Sequence, residues 1–373
     1  MLQSPKFVME FIENTVIGIR ETESGTAGMI VIDGKKNNIK KMVYRSQADV
    51  LREDWNEMTY KYLCDHAFKG NPFELHVVRV APEAVTTVNL SEILNDLEQS
   101  GVLWLWTPAD FQDAAVSWLK NRRNTEMGKL RPDFDQSGIK LVTGGLATPD
   151  HWAIVNLSEL HDKGFVNGTE YTCNELAISL LSVFAGMSRY RSGTNFKMPW
   201  IESITLIGNP GDRTDKGEIV LVKDEDIFVI NRAVTSFVTP TTDKQERFAS
   251  IKLVAQMDED MLALKKTWNK FYKGAFLNHF DKKRQFLQAA NGYFDKRMAE
   301  GVLDPNYDNH MYIDLEAHKI FLKEQGRDDE YINSLDDSEL MRINTKTAVY
   351  ADIPNYMPVD AMEDLYIKAK MQS

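Results

Sequence analysis

Glu218-Ile-Val-Leu-Val-Lys-Asp-Glu-Asp-Ile-Phe-Val-Ile-Asn231 is the stretch on which the fold turns. Two runs rich in β-branched residues flank the acidic turn Lys223-Asp-Glu-Asp226, the pattern of a β-hairpin over 218–231. Ile219, Leu221, Phe228 and Ile230 are its apolar positions. Each outer edge of a hairpin carries backbone N–H and C=O groups that need partners. Working outward, both ends of the chain supply candidates. Phe7, Met9 and Phe11 share one face of a strand over 7–12, set apart by the polar stretch Arg20-Glu-Thr-Glu-Ser-Gly-Thr. Leu365, Ile367, Ala369 and Met371 alternate in the same way over 365–371. A lone strand cannot satisfy its own backbone, so each end must find a sheet edge. The ends therefore read as strand-forming arms, 1–24 and 351–373.

Between the arms, two kinds of pattern follow one another. From Ala27-Gly-Met-Ile-Val-Ile-Asp33 to about Ile207, strands alternate with helices. Strands are expected at 75–80, 102–106, 139–143 and 153–157, and helices at 55–68, 91–97, 108–120 and 174–187. Alternation of this kind predicts a layered α/β domain over 25–207. The segment 174–187 is apolar all round and is expected inside a core. Past Gly208-Asn-Pro-Gly-Asp-Arg the hairpin gives way to helices over 257–272, 281–300 and 315–324, a second, α+β region over 208–350. Asp258-Glu-Asp at the start of the first of these helices, and Lys270 and Lys273 at its end, suit the helix macrodipole.

Composition bounds the function without naming it. The 373 residues carry 44 Lys+Arg against 55 Asp+Glu, a net charge of −11, which argues against nucleic acid as the main partner. No apolar run approaches the ~20 residues that span a bilayer, and the N-terminus lacks the pattern of a signal peptide. Cys64 and Cys173 lie far apart in apolar helical patterns, which excludes a disulfide scaffold and a thiolate zinc site.

Signatures of catalysis fail one by one. Asp133-Phe-Asp-Gln-Ser-Gly138 imitates the start of a calcium loop, but Gly144 stands where the bidentate Glu is required. Gly144-Gly145 after a strand reads as a turn, since neither a dinucleotide fingerprint nor a P-loop is present. His310 and His318 match no metal-ligand spacing, and no G-x-S-x-G elbow occurs. The tryptophans at 104, 106, 118, 152, 200 and 268 read as core. The cluster Lys282-Lys283-Arg284 at a helix start opposes the macrodipole and suggests either an acidic partner or a solvated face. No catalytic residue, metal or cofactor is expected.

The residues nevertheless resemble a known family. Gly217–Phe237 by position (217–237), Phe248-Ala-Ser-Ile-Lys-Leu-Val-Ala-Gln-Met-Asp258, Tyr272-Lys-Gly-Ala-Phe-Leu-Asn278 with Arg284, Tyr293 and Gly301-Val302, and Val359-Asp-Ala-Met-Glu-Asp-Leu-Tyr-Ile367 look like the tail sheath proteins of contractile bacteriophages and R-type bacteriocins of Gram-positive hosts. Pro5-Lys-Phe-Val-Met-Glu-Phe11 and Gly25-Thr-Ala-Gly-Met-Ile-Val-Ile32 are similar in character. Ala233 departs from a Gly frequent in the family, and Ala275 from a Lys that often follows Gly274.

The resemblance implies a structural subunit that polymerises helically, in six-fold rings, around a tail tube. Arms of neighbouring copies would add strands to the hairpin, with 21–26 and 351–358 as hinges. It further implies a tube protein, a baseplate and a tail terminator as partners, with no nucleic acid and no direct membrane contact. The setting would be a virion tail assembled in the host cytoplasm. Lys282, Lys283 and Arg284 are the expected tube contacts. The competing reading is a cytoplasmic α/β enzyme of unrecognised chemistry centred on 30–200.

Overall fold

The structure, a computed structural model, describes residues 25–36, 40–123, 137–147, 149–205, 208–242 and 244–368. The described residues divide into two compact units, one of 25–262 with 358–368 and one of 263–357.

The first unit opens with β1 (Thr26–Ile32) and β2 (Lys41–Tyr44). Helix α1 (Glu57–Lys61), capped by the Asn56 side chain, widens into a π-type turn over Tyr62–Ala67. Then β3 (Glu74–Val80), α2 (Leu90–Gln99), β4 (Trp104–Trp106), α3 (Ala109–Arg123), β5 (Lys140–Gly144) and β6 (Ile154–Leu157) alternate as the pattern predicts. A hairpin of β7 (Lys163–Val166) and β8 (Thr169–Thr172) turns on Asn167 and Gly168, both at positive φ. Helix α4 (Cys173–Gly186) starts at a capping box of Thr172 and Glu175. It is followed by β9 (Ser203–Ile204), α5 (Pro210–Thr214), β10 (Glu218–Ile219), β11 (Leu221–Asp224), β12 (Ile227–Ile230) and α6 (Ile251–Thr267), of which 251–262 belong to this unit.

The main sheet has the order β10-β6-β5-β4-β1-β3-β2, parallel throughout except for β2. Period-two alternation sends Met29, Val77, Trp106 and Val142 to one face, against α4, and Ile30, Val78, Leu105 and Leu141 to the other, against α2 and α3. Covering both faces explains why these strands read as continuous apolar runs. Each fully buried Leu or Ile contributes about 1.5–3 kcal/mol. Helix α4 is buried all round, as its composition predicts, and Gly186 at its end admits the Gly70 carbonyl oxygen to 1.7 Å of where a Cβ would stand.

The second unit takes up α6 from Ala263, passes a π-type turn at Trp268–Tyr272, and continues as α7 (Phe280–Ala299), β13 (Tyr312–Ile313), α8 (Leu315–Glu324), α9 (Asp329–Ser334), α10 (Asp337–Met341) and β14 (Ala351–Asp352). Its core gathers Tyr272, Phe286, Tyr293 and Phe294, and β13 pairs with β14.

Three expectations are corrected. The hairpin covers 221–230 rather than 218–231, because Ile219 leaves it to pair with β6, where it is wholly buried and its carbonyl accepts from Ser158 N–H. For the same reason the hairpin belongs with the α/β unit, so the units do not divide at 207/208. Residues 351–357 belong to the second unit: β14 pairs with β13, and the Met357 carbonyl accepts from Asp304 N–H, so the C-terminal arm starts at 358 rather than 351. The N-terminal strand 7–12 and linker residues 21–24 lie outside the described residues.

Candidate assembly surfaces

The β11–β12 hairpin has one closed side and one open side. Asn231 donates to the Val220 carbonyl, so the bonds of this antiparallel ladder fall on 222/229 and 224/227. Ile230 and Phe228 then direct their backbone groups outward from β12, and the chain itself meets them. Asn195 N–H donates to Ile230 O at 2.8 Å, Ile230 N–H to Phe196 O at 3.2 Å, and Met198 N–H to Phe228 O at 2.8 Å. On the other strand Leu221 N–H donates to His161 Nε2 at 2.8 Å. The outward N–H and C=O of Lys223 find no partner among the described residues, and the residue is exposed. Of the four hairpin positions read as exchange residues, Leu221 and Ile230 are buried in their own subunit, as is Ile219 beside them, and Phe228 is half-buried.

The C-terminal arm is rooted in the first unit. Arg247 donates to Pro358 O at 2.9 Å, and Lys252 donates to Val359 O. Further on, Arg232 pairs with Glu363 at 3.3 Å and Asp364 at 2.9 Å, while Ser192 Oγ donates to Glu363. Beyond that grip the chain lets go. Residues 361–368 join no ladder, and Leu365 and Ile367 are 82% and 79% exposed, with Tyr366 and Met362 equally bare. The expected half-buried strand is not formed within the subunit; Met371 lies outside the described residues.

The basic cluster on α7 splits. Lys283 is buried, with its ammonium donating to Ile343 O at 3.1 Å and Thr345 Oγ1 at 2.9 Å, and burial lowers its pKa. It holds the loop after α10 and cannot face a partner. Lys282 lies over the Phe276 ring at 4.5 Å, and Arg284 is exposed. Next to them Phe276 and Leu277 stand out from a turn at Gly274, with Leu277 76% exposed. Asn278 braces that turn through donors to Thr345 Oγ1, Lys346 O and Ala348 O. Lys270 and Lys273, which precede the turn in sequence, are both exposed. Sequence reasoning missed this tip, since a two-residue apolar loop has no periodicity to find.

The residues considered for chemistry are engaged structurally. A Cβ on Gly144 would meet the Cys173 carbonyl at 2.4 Å, so that glycine serves strand–helix packing. His318 is buried and its Nδ1 shares a hydrogen bond with Leu340 O. His310 lies between Asp295 at 3.0 Å and Asp308 at 2.8 Å, and these bonds, the first above all, raise its pKa. Trp106 Nε1 donates to Asn174 O, and Trp104 stacks on Phe184 in the core. Residues 133–136 lie outside the described residues. Among the described residues no three His, Cys, Asp or Glu side chains cluster as metal ligands.

No family model matches the chain. The curated tail sheath protein of Clostridium phage phiCD119 is 25% identical over 372 residues, which is 97% of this chain and 98% of that one. Among solved structures, the anti-feeding prophage helical sheath in its contracted state matches with a TM-score of 0.67 at 11% identity, covering 100% of both chains. The contracted PVC sheath of an extracellular contractile injection system gives 0.64 at 11% identity over 100% of this chain and 98% of that one. The sheath tail protein of Desulfitobacterium hafniense also gives 0.64 at 11% identity, over 80% of this chain and 91% of that one. The fold is that of contractile sheath subunits. With the full-length sequence likeness to a phage tail sheath protein added, the comparisons support a structural subunit of a contractile sheath.

Proposed function

We propose that this subunit polymerises helically around a tail tube by exchanging strands between copies, and that contraction of the polymer drives the tube through a target envelope. One observation carries the reading. The same chain offers an open β11 edge at Lys223 and an apolar arm at Leu365 and Ile367 that joins no sheet of its own. In strand addition, main-chain hydrogen bonds give affinity and alternating side chains set register. Head-to-tail contacts that do not close build an open helix. Leu365, Ile367 and Met371 would form one added strand and Phe7, Met9 and Phe11 another. Ile219, Leu221, Phe228 and Ile230 seat the accepting hairpin.

Lys282 and Arg284, with Phe276 and Leu277, are the proposed tube contact, and an acidic tube surface is the complement they would fit. A baseplate, a tail terminator and six-fold rings complete the assembly, a tail or tail-like particle put together in the host cytoplasm. The subunit needs no cofactor and no catalysis, because the energy of contraction is stored when the extended polymer forms and released by rigid-body rearrangement.

Deleting 360–373 tests the reading. Circular dichroism should show a folded, soluble protein, and electron microscopy should show no tubes. Normal assembly of the truncated protein would remove arm exchange as the organising contact.

A further inference from the structure

In the first unit, a cavity of about 130 Å³ opens beside Trp152, lined by Arg122, Arg123, Lys244, Phe248 and Asp258 among others. Arg122 is paired with Glu98, whereas Arg123 is only partly paired. Arg123 is 3% exposed, lies 4.1 Å over the Trp152 ring, and donates only through Nη2, to both Asp258 oxygens. Its Nε and Nη1 have no partner among the described residues, although a buried donor left unmade costs about 1–3 kcal/mol. Asp258 is shared with Lys140 at 2.9 Å, so one carboxylate serves two cations. Lys244 lies 5.7 Å from the Trp152 centroid. His151, stacked on Trp152, has its pKa lowered to about 3, by burial first and then by Arg123, Lys120 and Lys244. The pocket is therefore a positive, aromatic-walled recess in a chain whose net charge is −11.

Several acidic groups on this chain are committed within it. Asp328 and Asp336 cap helices, Asp329 pairs with Lys323, and Glu363 and Asp364 pair with Arg232. The hairpin turn sets three acidic side chains in a row. Among the described residues, Asp224 and Glu225 are exposed and without a bonded side-chain partner, and Asp226 meets only Lys223 at 3.6 Å, on a side chain that is 99% exposed.

We propose that the Asp224-Glu225-Asp226 turn of one copy inserts a carboxylate into the Arg123–Lys244–Trp152 recess of a second copy. The free guanidinium N–H groups of Arg123 donate to the carboxylate, and Trp152 and Phe248 shield it from water. This contact rests on the polymer reading above but is separate from arm exchange. It joins two different patches, so it propagates along a helix rather than closing a pair. It also adds a charge term that sets register and partner choice.

The test is a charge swap in the full chain. Wild-type protein, Lys244→Glu, Glu225→Lys and the combined variant are compared by sedimentation of polymer and by negative-stain microscopy, with circular dichroism as the check on folding. Each single reversal should lower the polymerised fraction about tenfold, and the combined variant should recover it. Tubes from either single variant at the wild-type yield overturn the proposal, as does failure of the combined variant to recover. If wild-type protein forms no tubes, the polymer reading falls and this contact falls with it; tubes from wild-type and Lys244→Glu alike remove the recess alone.

Discussion

Arg232 Nη2 lies 2.9 Å from Asp364 Oδ2, and its Nε lies 3.3 Å from Glu363, so a guanidinium two residues past β12 grips the chain just ahead of Leu365. The hairpin and the departing arm are thereby tied at one point. The side chains involved are partly exposed, and pairs of this kind contribute at most about 1 kcal/mol. Arg232→Ala should therefore leave the melting temperature nearly unchanged. It should also speed chymotryptic cleavage at Tyr366, and 1 M salt should mimic it. Unchanged cleavage would mean that the grip does not orient the arm.

Ile367→Asp separates monomer stability from assembly. At 79% exposure the new carboxylate stays in water, and thermal melting should shift by less than ~0.5 kcal/mol equivalent. In an added strand the same charge would be buried at a cost of a few kcal/mol. Polymer yield by sedimentation should collapse, and wild-type yield would contradict the register.

Proline substitutions distinguish the two sides of the hairpin. Lys223→Pro deletes an outward N–H that bonds nothing among the described residues, a place where a strand tolerates proline. The monomer should remain folded while assembly fails. Ile230→Pro deletes the donor to Phe196 O and should destabilise the monomer itself, by about 1–3 kcal/mol or more, read by urea titration.

His310 gives a pH signature. Its hydrogen bonds to Asp295 and Asp308 raise the folded-state pKa above the ordinary value of about 6.5. The stabilisation is fully present below that ordinary value and is lost as pH rises through the folded one, because the folded state then gives up a proton it had held more tightly. NMR titration should find the raised pKa, and Asp295→Asn should lower it. The contribution to stability is well under ~1 kcal/mol, since the ring is partly solvated.

Much of this architecture was legible in the residues. Ile30 and Met29 point to opposite faces of a buried strand, and the apolar runs around them announce a sheet covered on both sides. Helix α8 appears where Leu315 to Glu324 were read. Other features depend on contacts distant in sequence. Ile219 looks like a hairpin residue until β6, some sixty positions away, competes for it. Lys283 looks like its neighbours Lys282 and Arg284, and only the fold of 343–345 turns it inward. The capture of β12 by Asn195–Met198 (195–198) has no local signal at all, because that segment lacks strand periodicity.

That last contact bears on stoichiometry. With β12 already occupied, each hairpin has room for a single direct guest, while every subunit in the proposed scheme lends two ends. The second donor must therefore lie against the first, not against the host. Growth would then be ordered, with one neighbour having to arrive before another can dock, and this would impose a direction on elongation and suppress spurious nucleation away from the starting end.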